Sequence, residues 1–144
     1  MYFPILRGRQ FELLALRECV NQRLLGSKII PIVEPVKVSS TYTKTVDSFI
    51  NAGQSIAIIR NPQVGSWTKD AKKESNAKIY EQAIEQFKDV NVISSFYVTS
   101  KLSADIDFAA KRGLSIDSLL LLCNNPEYVD NYEEVIGDNI PMYN

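Results

Sequence analysis

Four times in this chain a glycine is followed three residues later by an isoleucine: Gly26-Ser-Lys-Ile29, Gly53-Gln-Ser-Ile56, Gly113-Leu-Ser-Ile116 and Gly137-Asp-Asn-Ile140. Each copy stands where an amphipathic pattern stops and a short β-branched run begins. Glycine just past a helix accepts the left-handed backbone that lets the last carbonyls find partners. The isoleucine then opens a buried strand. A regular return from helix to strand is what a parallel sheet requires, because parallel neighbours are joined by crossover helices. The junctions therefore predict an α/β fold of repeated βα units around a parallel sheet.

The spacing predicts strands at Tyr2–Leu6, Ile29–Val33, Ile56–Ile59, Val90–Val98, Ile116–Leu122 and Ile140–Tyr143. Ile29-Ile30-Pro31-Ile32-Val33 is a continuous apolar run, as in a strand covered on both faces. Between the strands, helices are predicted from about Gln10 to Leu25, after Ser39 to Gly53, from about Asp70 to Phe87, from Ser103 to Gly113 and around Tyr128 to Ile136. The long helix carries a stripe of Ala77, Tyr80, Ile84 and Phe87 at helical spacing. At 144 residues the chain is expected to form a single domain, and it is shorter than the roughly 250 residues of a complete (β/α)8 barrel. A chain stopping inside a strand pattern suits a partial TIM-like barrel; a doubly wound open sheet with its last strand at an edge is the alternative.

Composition removes several functions. Histidine is absent, so a Ser-His-Asp or Cys-His arrangement, a His-ligated zinc and an imidazole base cannot be assembled within the chain. The net charge is −1, which disfavours nucleic acid and anionic membrane surfaces as partners. No apolar stretch approaches the roughly 20 residues of a membrane span, and Met1-Tyr2-Phe3-Pro4 is no secretory leader. Cys19 and Cys123 lie in apolar patterns and are expected to be buried, reduced thiols of a cytoplasmic protein. No metal cluster and no cofactor motif is present: Arg7-Gly8-Arg9 is not a phosphate fingerprint, and Walker, dinucleotide, CxxC and EF-hand patterns are missing.

The segment Tyr2-Phe3-Pro4-Ile5-Leu6-Arg7-Gly8-Arg9-Gln10-Phe11-Glu12-Leu13-Leu14-Ala15-Leu16-Arg17-Glu18, with Ile30-Pro31-Ile32-Val33-Glu34-Pro35-Val36 after it, resembles the start of the "beta protein" family of phages and bacterial mobile or defence-type loci. The resemblance covers the first quarter of the chain, and the remainder only in its strand–helix rhythm. It implies a TIM-like barrel about twice this length, of which the chain is the N-terminal part. It carries no catalytic residues over to this sequence.

Ligands of parallel α/β proteins meet the carboxyl ends of the strands. Those ends carry Arg7 and Arg9, then Glu34 and Lys37, then Arg60 and Asn61, then Thr99, Ser100 and Lys101, then Asn124 and Asn125, and finally Tyr143 and Asn144. The expected site is an anion or phosphate pocket lined by Arg7, Arg9, Arg60 and Lys101, with Glu34 orienting them or accepting a proton. The competing expectation is plain: Arg7 and Arg60 pair with Glu34, and the other charges are solvated. Asn61-Pro62 and Asn124-Asn125-Pro126 are expected to be turn starters. Trp67 is expected to pack back on the domain, and Lys69, Lys72 and Lys73 to form a solvated face. Two functions follow. One is an interaction module in a phage- or mobile-element-linked system, taking a protein partner or self-associating to complete the barrel, with a small anionic ligand at the strand ends. The other is a TIM-barrel-like enzyme acting on a phosphorylated or anionic substrate, with Glu34 as acid/base and Arg60 and Lys101 as charge stabilisers.

Overall fold

The computed structural model describes residues 1–143. Five parallel strands, β1 (Ile5–Arg7), β2 (Ile32–Glu34), β3 (Ile56–Ile59), β4 (Val92–Tyr97) and β5 (Leu120–Leu122), follow one another in the order β1-β2-β3-β4-β5. Helices α1 (Gln10–Asn21), α2 (Ser40–Ala52), α3 (Trp67–Asp70), α4 (Ala77–Gln86), α5 (Leu102–Ala110) and α6 (Val129–Ile136) connect or follow them. The strand order contains no reversal of the kind that creates the switch point of a doubly wound sheet. It is the order of singly wound βα repeats. The chain divides into two compact units, residues Met1–Ile58 with Pro62–Ile93, and residues Ile59–Asn61 with the chain from Ser94 onward.

In the first unit, alternation along the strands sends Val33, Ile56, Ile58 and Val92 to the helices, where Leu13, Leu16 and Val20 of α1, Tyr42, Val46 and Phe49 of α2 and Ala83 of α4 meet them. Ile32, Glu34 and Ala57 take the opposite face and are also buried. α2 shows how local sequence sets the boundaries. Ser39 Oγ accepts from the Tyr42 N–H at 3.3 Å, and Gly53 closes the helix at φ 62° with Gly53 N–H to Ile50 O and Gln54 N–H to Phe49 O, both at 3.0 Å. In the second unit Phe96 and Val98 of the β4 end and Leu119 and Leu121 pack on Leu102 and Ala109 of α5 and Ile136 of α6.

Several expectations are corrected. α1 ends at Asn21, not Leu25, and the left-handed residue there is Arg23 at φ 56°, so Gly26 is no helix cap. The segment expected as one helix from Asp70 is broken, because Asp70 turns inward and takes the Ser66 hydroxyl at 2.6 Å, the Lys73 ammonium at 2.7 Å and, through its carbonyl, the Asn76 amide at 3.0 Å. The helix restarts only at Ala77, and the residues it buries are Ala83 and Gln86. Ile84 is exposed and Tyr80 half-buried, so the apolar stripe does not mark the inward face. Gln86 is drawn in by polar bonds, its amide donating to Thr43 O and to Asp47 Oδ1, each at 2.7 Å. Ile116–Ser118 is a 3-10 turn ahead of a shorter β5. The expected sixth strand is reduced, among the described residues, to one parallel bridge between Leu120 and Tyr143. Cys19 is half-buried and Cys123 exposed just past β5, so neither thiol is buried.

Candidate functional site

In the first unit the carboxyl end of β1 carries Arg7-Gly8-Arg9. Gly8 N–H donates to Glu34 O at 2.7 Å, and a Cβ on Gly8 would stand 3.1 Å from Val33 Cγ1 and 3.2 Å from Glu34 O. The absence of a side chain thus lets the chain turn tightly over β2. Arg9 precedes α1 with extended backbone, and its N–H donates to the Glu12 carboxylate at 3.3 Å. Arginine offers no acceptor in return, so the helix start is capped from one side only. Arg7 and Arg9 are both exposed, and among the described residues neither forms an ion pair. Arg7 is the register partner of Glu34. Glu34 is buried, and its Oε1 accepts the Gln63 N–H at 2.7 Å, which ties the β2 end to the loop after β3.

That loop is held rigidly. Gly65 sits at φ 83° against β2's exit, where an added Cβ would stand 2.2 Å from Val36 O, and Ser66 N–H donates to the same carbonyl at 2.6 Å. Trp67 packs back edge-on, its ring 5.0 Å from Tyr42 and 6.1 Å from Tyr80. The Lys73 ammonium, helped by the Ser66 hydroxyl, holds the Asp70 carboxyl below the ordinary carboxylate range, against the opposing effect of burial. Lys73 is therefore partnered, not simply solvated.

In the second unit Arg60 and Asn61 leave β3 in opposite directions. Arg60 continues the helix-facing alternation of Ile56 and Ile58; its Nη1 donates to Ser94 Oγ at 3.2 Å, and its guanidinium lies 5.7 Å from the Phe108 ring centre on α5. Arg112 stacks on the same ring at 3.5 Å. Asn61, read from sequence as a turn starter, instead acts as a splint. Its Oδ1 accepts the Tyr97 N–H at 2.9 Å while its Nδ2 donates to Tyr97 O at 3.0 Å and to Asp105 Oδ2 at 2.9 Å. Asn125 does behave as a turn starter, accepting the Glu127 N–H at 3.0 Å. Burial pushes the Asp105 carboxyl above its ordinary value, and the Asn61 bond and the Lys101 charge pull it back in part. Lys101 is exposed, with its N–H on Thr99 Oγ1 at 3.1 Å.

The five candidates are thus distributed as Arg7, Arg9 and Glu34 in one unit and Arg60 and Lys101 in the other. Sequence reasoning missed Asn61 as a bridging group and Asp105 altogether. The available signal for Asp105 was its place in the first turn of α5, where an acid ordinarily serves the helix start. A further concavity of about 340 Å³ lies in the second unit, lined by Leu121, Cys123, Val129 and Tyr132. Among the described residues no group of acidic or cysteine side chains could hold a metal ion, and no helix is long and apolar enough to cross a membrane. The class defined by this architecture is an all-parallel α/β protein of singly wound βα repeats. No protein-family model, no curated protein and no solved structure matches the chain.

Proposed function

We propose that the chain is a cytoplasmic interaction module of βα repeats, the N-terminal part of a TIM-like barrel, which holds an anionic group of its partner at Arg7 and Arg9. The resemblance of its first quarter to the "beta protein" family supports reading that work as part of a phage- or mobile-element-linked, defence-type system. One observation carries the reading: two exposed guanidiniums, neither in an ion pair among the described residues, flank Gly8 at the carboxyl end of a parallel strand. The one nearby acid in strand register, Glu34, gives a carboxylate oxygen to a backbone N–H. Guanidinium forks match carboxylate and phosphate oxygens, and carboxyl ends of parallel strands are where such ligands enter.

The test is thermal unfolding and calorimetric titration with inorganic phosphate. A ligand at a hundred times its Kd stabilises the folded chain by about 2.7 kcal/mol. That gain should vanish in the Arg7→Ala/Arg9→Ala variant. Absence of any stabilisation by phosphate, or its persistence in the double variant, overturns the reading. A second reading, a TIM-barrel-like enzyme for a phosphorylated or anionic substrate, is supported by Asp105, a half-buried carboxyl near the start of α5 that takes the Asn61 amide at 2.9 Å and is pushed up by burial. It requires turnover of a phosphate ester that Asp105→Ala abolishes.

A further inference from the structure

Helices α5 and α6 both pack on the strands of the second unit, but only α5 is closed along its whole length. Leu102, the first residue of α5, is 0% exposed, and Ala109 two turns on is 1% exposed. On α6, Val129, Tyr132 and Ile136 share one face at i, i+3 and i+7. Cover falls away along that face: Ile136 is 2% exposed, Tyr132 is half-buried and Val129 is 41% exposed. The helix thus sits against Leu119 and Leu121 at its carboxyl end and stands off at its start. The gap is the concavity of about 340 Å³, with buried Leu121 as its floor, Val129 and Tyr132 along one wall and exposed Cys123 at its rim. It opens beside the carboxyl end of β5, the end of a parallel strand at which ligands enter.

We propose that this slot binds a small, neutral, planar aromatic molecule. Its volume lies at the low end of the roughly 300–1,000 Å³ of small-molecule sites, which suits one or two fused rings. The described lining bears no charge, so an ion placed there would lose its hydration without gaining a counter-charge. A gap between a helix and a strand is narrow in one direction, and the Tyr132 ring and the Cys123 sulfur offer polarisable surface to a flat partner. The occupant covers Val129 and completes at the start of α6 the apolar packing that Ile136 makes at its end. The inference goes beyond anion binding and does not rest on it, since Arg7 and Arg9 belong to the other unit.

Indole, titrated calorimetrically into the full chain, is the probe. The expected result is saturable binding with a dissociation constant below about 1 mM. Val129→Trp, which fills the slot from an exposed position, should weaken binding at least tenfold while the circular dichroism spectrum stays unchanged. The Arg7→Ala/Arg9→Ala variant should bind indole as the parent does, so failure of the anion site and failure of the slot are read separately. Cys123 supplies a readout without substitution. Its labelling by a thiol reagent, followed at the Cys123 peptide by mass spectrometry, should slow at least fivefold under saturating indole, while Cys19 labels at an unchanged rate. Absence of saturable indole binding, binding undiminished in Val129→Trp, binding lost in the double arginine variant, or Cys123 labelling indifferent to indole would each overturn the proposal.

Discussion

Replacing Asn61 by alanine removes three hydrogen bonds at one point, those to Tyr97 N–H, Tyr97 C=O and Asp105 Oδ2, all between 2.9 and 3.0 Å. A neutral bond contributes about 0.5–1.5 kcal/mol and a bond to a charged group about 1.5–3 kcal/mol. The three together would come to about 2.5–6 kcal/mol, but Asn61 and Asp105 are only half-buried, so water recovers a share and about 2–4 kcal/mol is expected. With a urea m-value of about 2 kcal/mol/M, the unfolding midpoint should fall by about 1–2 M. Asn61→Asp sharpens the test. Its carboxylate still accepts the Tyr97 N–H but cannot donate to Tyr97 O, and it faces the Asp105 carboxylate. It should therefore be less stable than the alanine variant at neutral pH and recover on acidification. An alanine variant within about 0.5 kcal/mol of the parent, the scatter of ordinary surface changes, would refute the splint. So would an aspartate variant more stable than the alanine one at pH 7.

Two other substitutions probe neighbouring features. Gly65→Ala puts a Cβ 2.2 Å from Val36 O at φ 83°, so it should cost more than the roughly 1–3 kcal/mol of a strained backbone alone, measured by urea unfolding. The folded-state pKa of Asp105 is raised, so its contribution is greatest below the unfolded carboxylate pKa and declines as pH climbs towards the folded one. Asp105→Asn keeps an acceptor for Asn61 but removes the buried charge; it should raise stability at neutral pH and flatten the pH dependence just above the ordinary carboxylate range. Asp70 works the other way: its lowered pKa gives stability present above the unfolded value and lost as pH falls through the folded one. Asp70→Asn should therefore flatten the acid limb of the stability curve.

The rhythm of the fold was legible because it rests on local rules. Gly53 and Gly113 do adopt positive φ, at 62° and 78°, and Ile56–Ile59 is a strand to the residue. Elements were misjudged where a tertiary bond overrode the local pattern. Asp70 breaks a helix that the apolar spacing runs straight through, because its carboxylate has better partners inside the loop. Gln86 faces inward, against its polarity, because Thr43 O and Asp47 stand ready to receive its amide. At the candidate site, sequence located the strand ends but not the direction in which side chains leave them. Arg60 and Asn61 are adjacent in sequence, yet alternation sends one to Phe108 and the other across to Tyr97. Asp105 was invisible because its hydrogen-bond partner Asn61 lies 44 residues earlier.

Because strand neighbours are also sequence neighbours from β1 through β5, a chain emerging from the ribosome can lay down each βα turn on the one completed before it. No strand waits for a distant segment to be synthesised, and loop closures stay short. The sheet can thus grow in the order of synthesis, each parallel pairing closing across its own crossover.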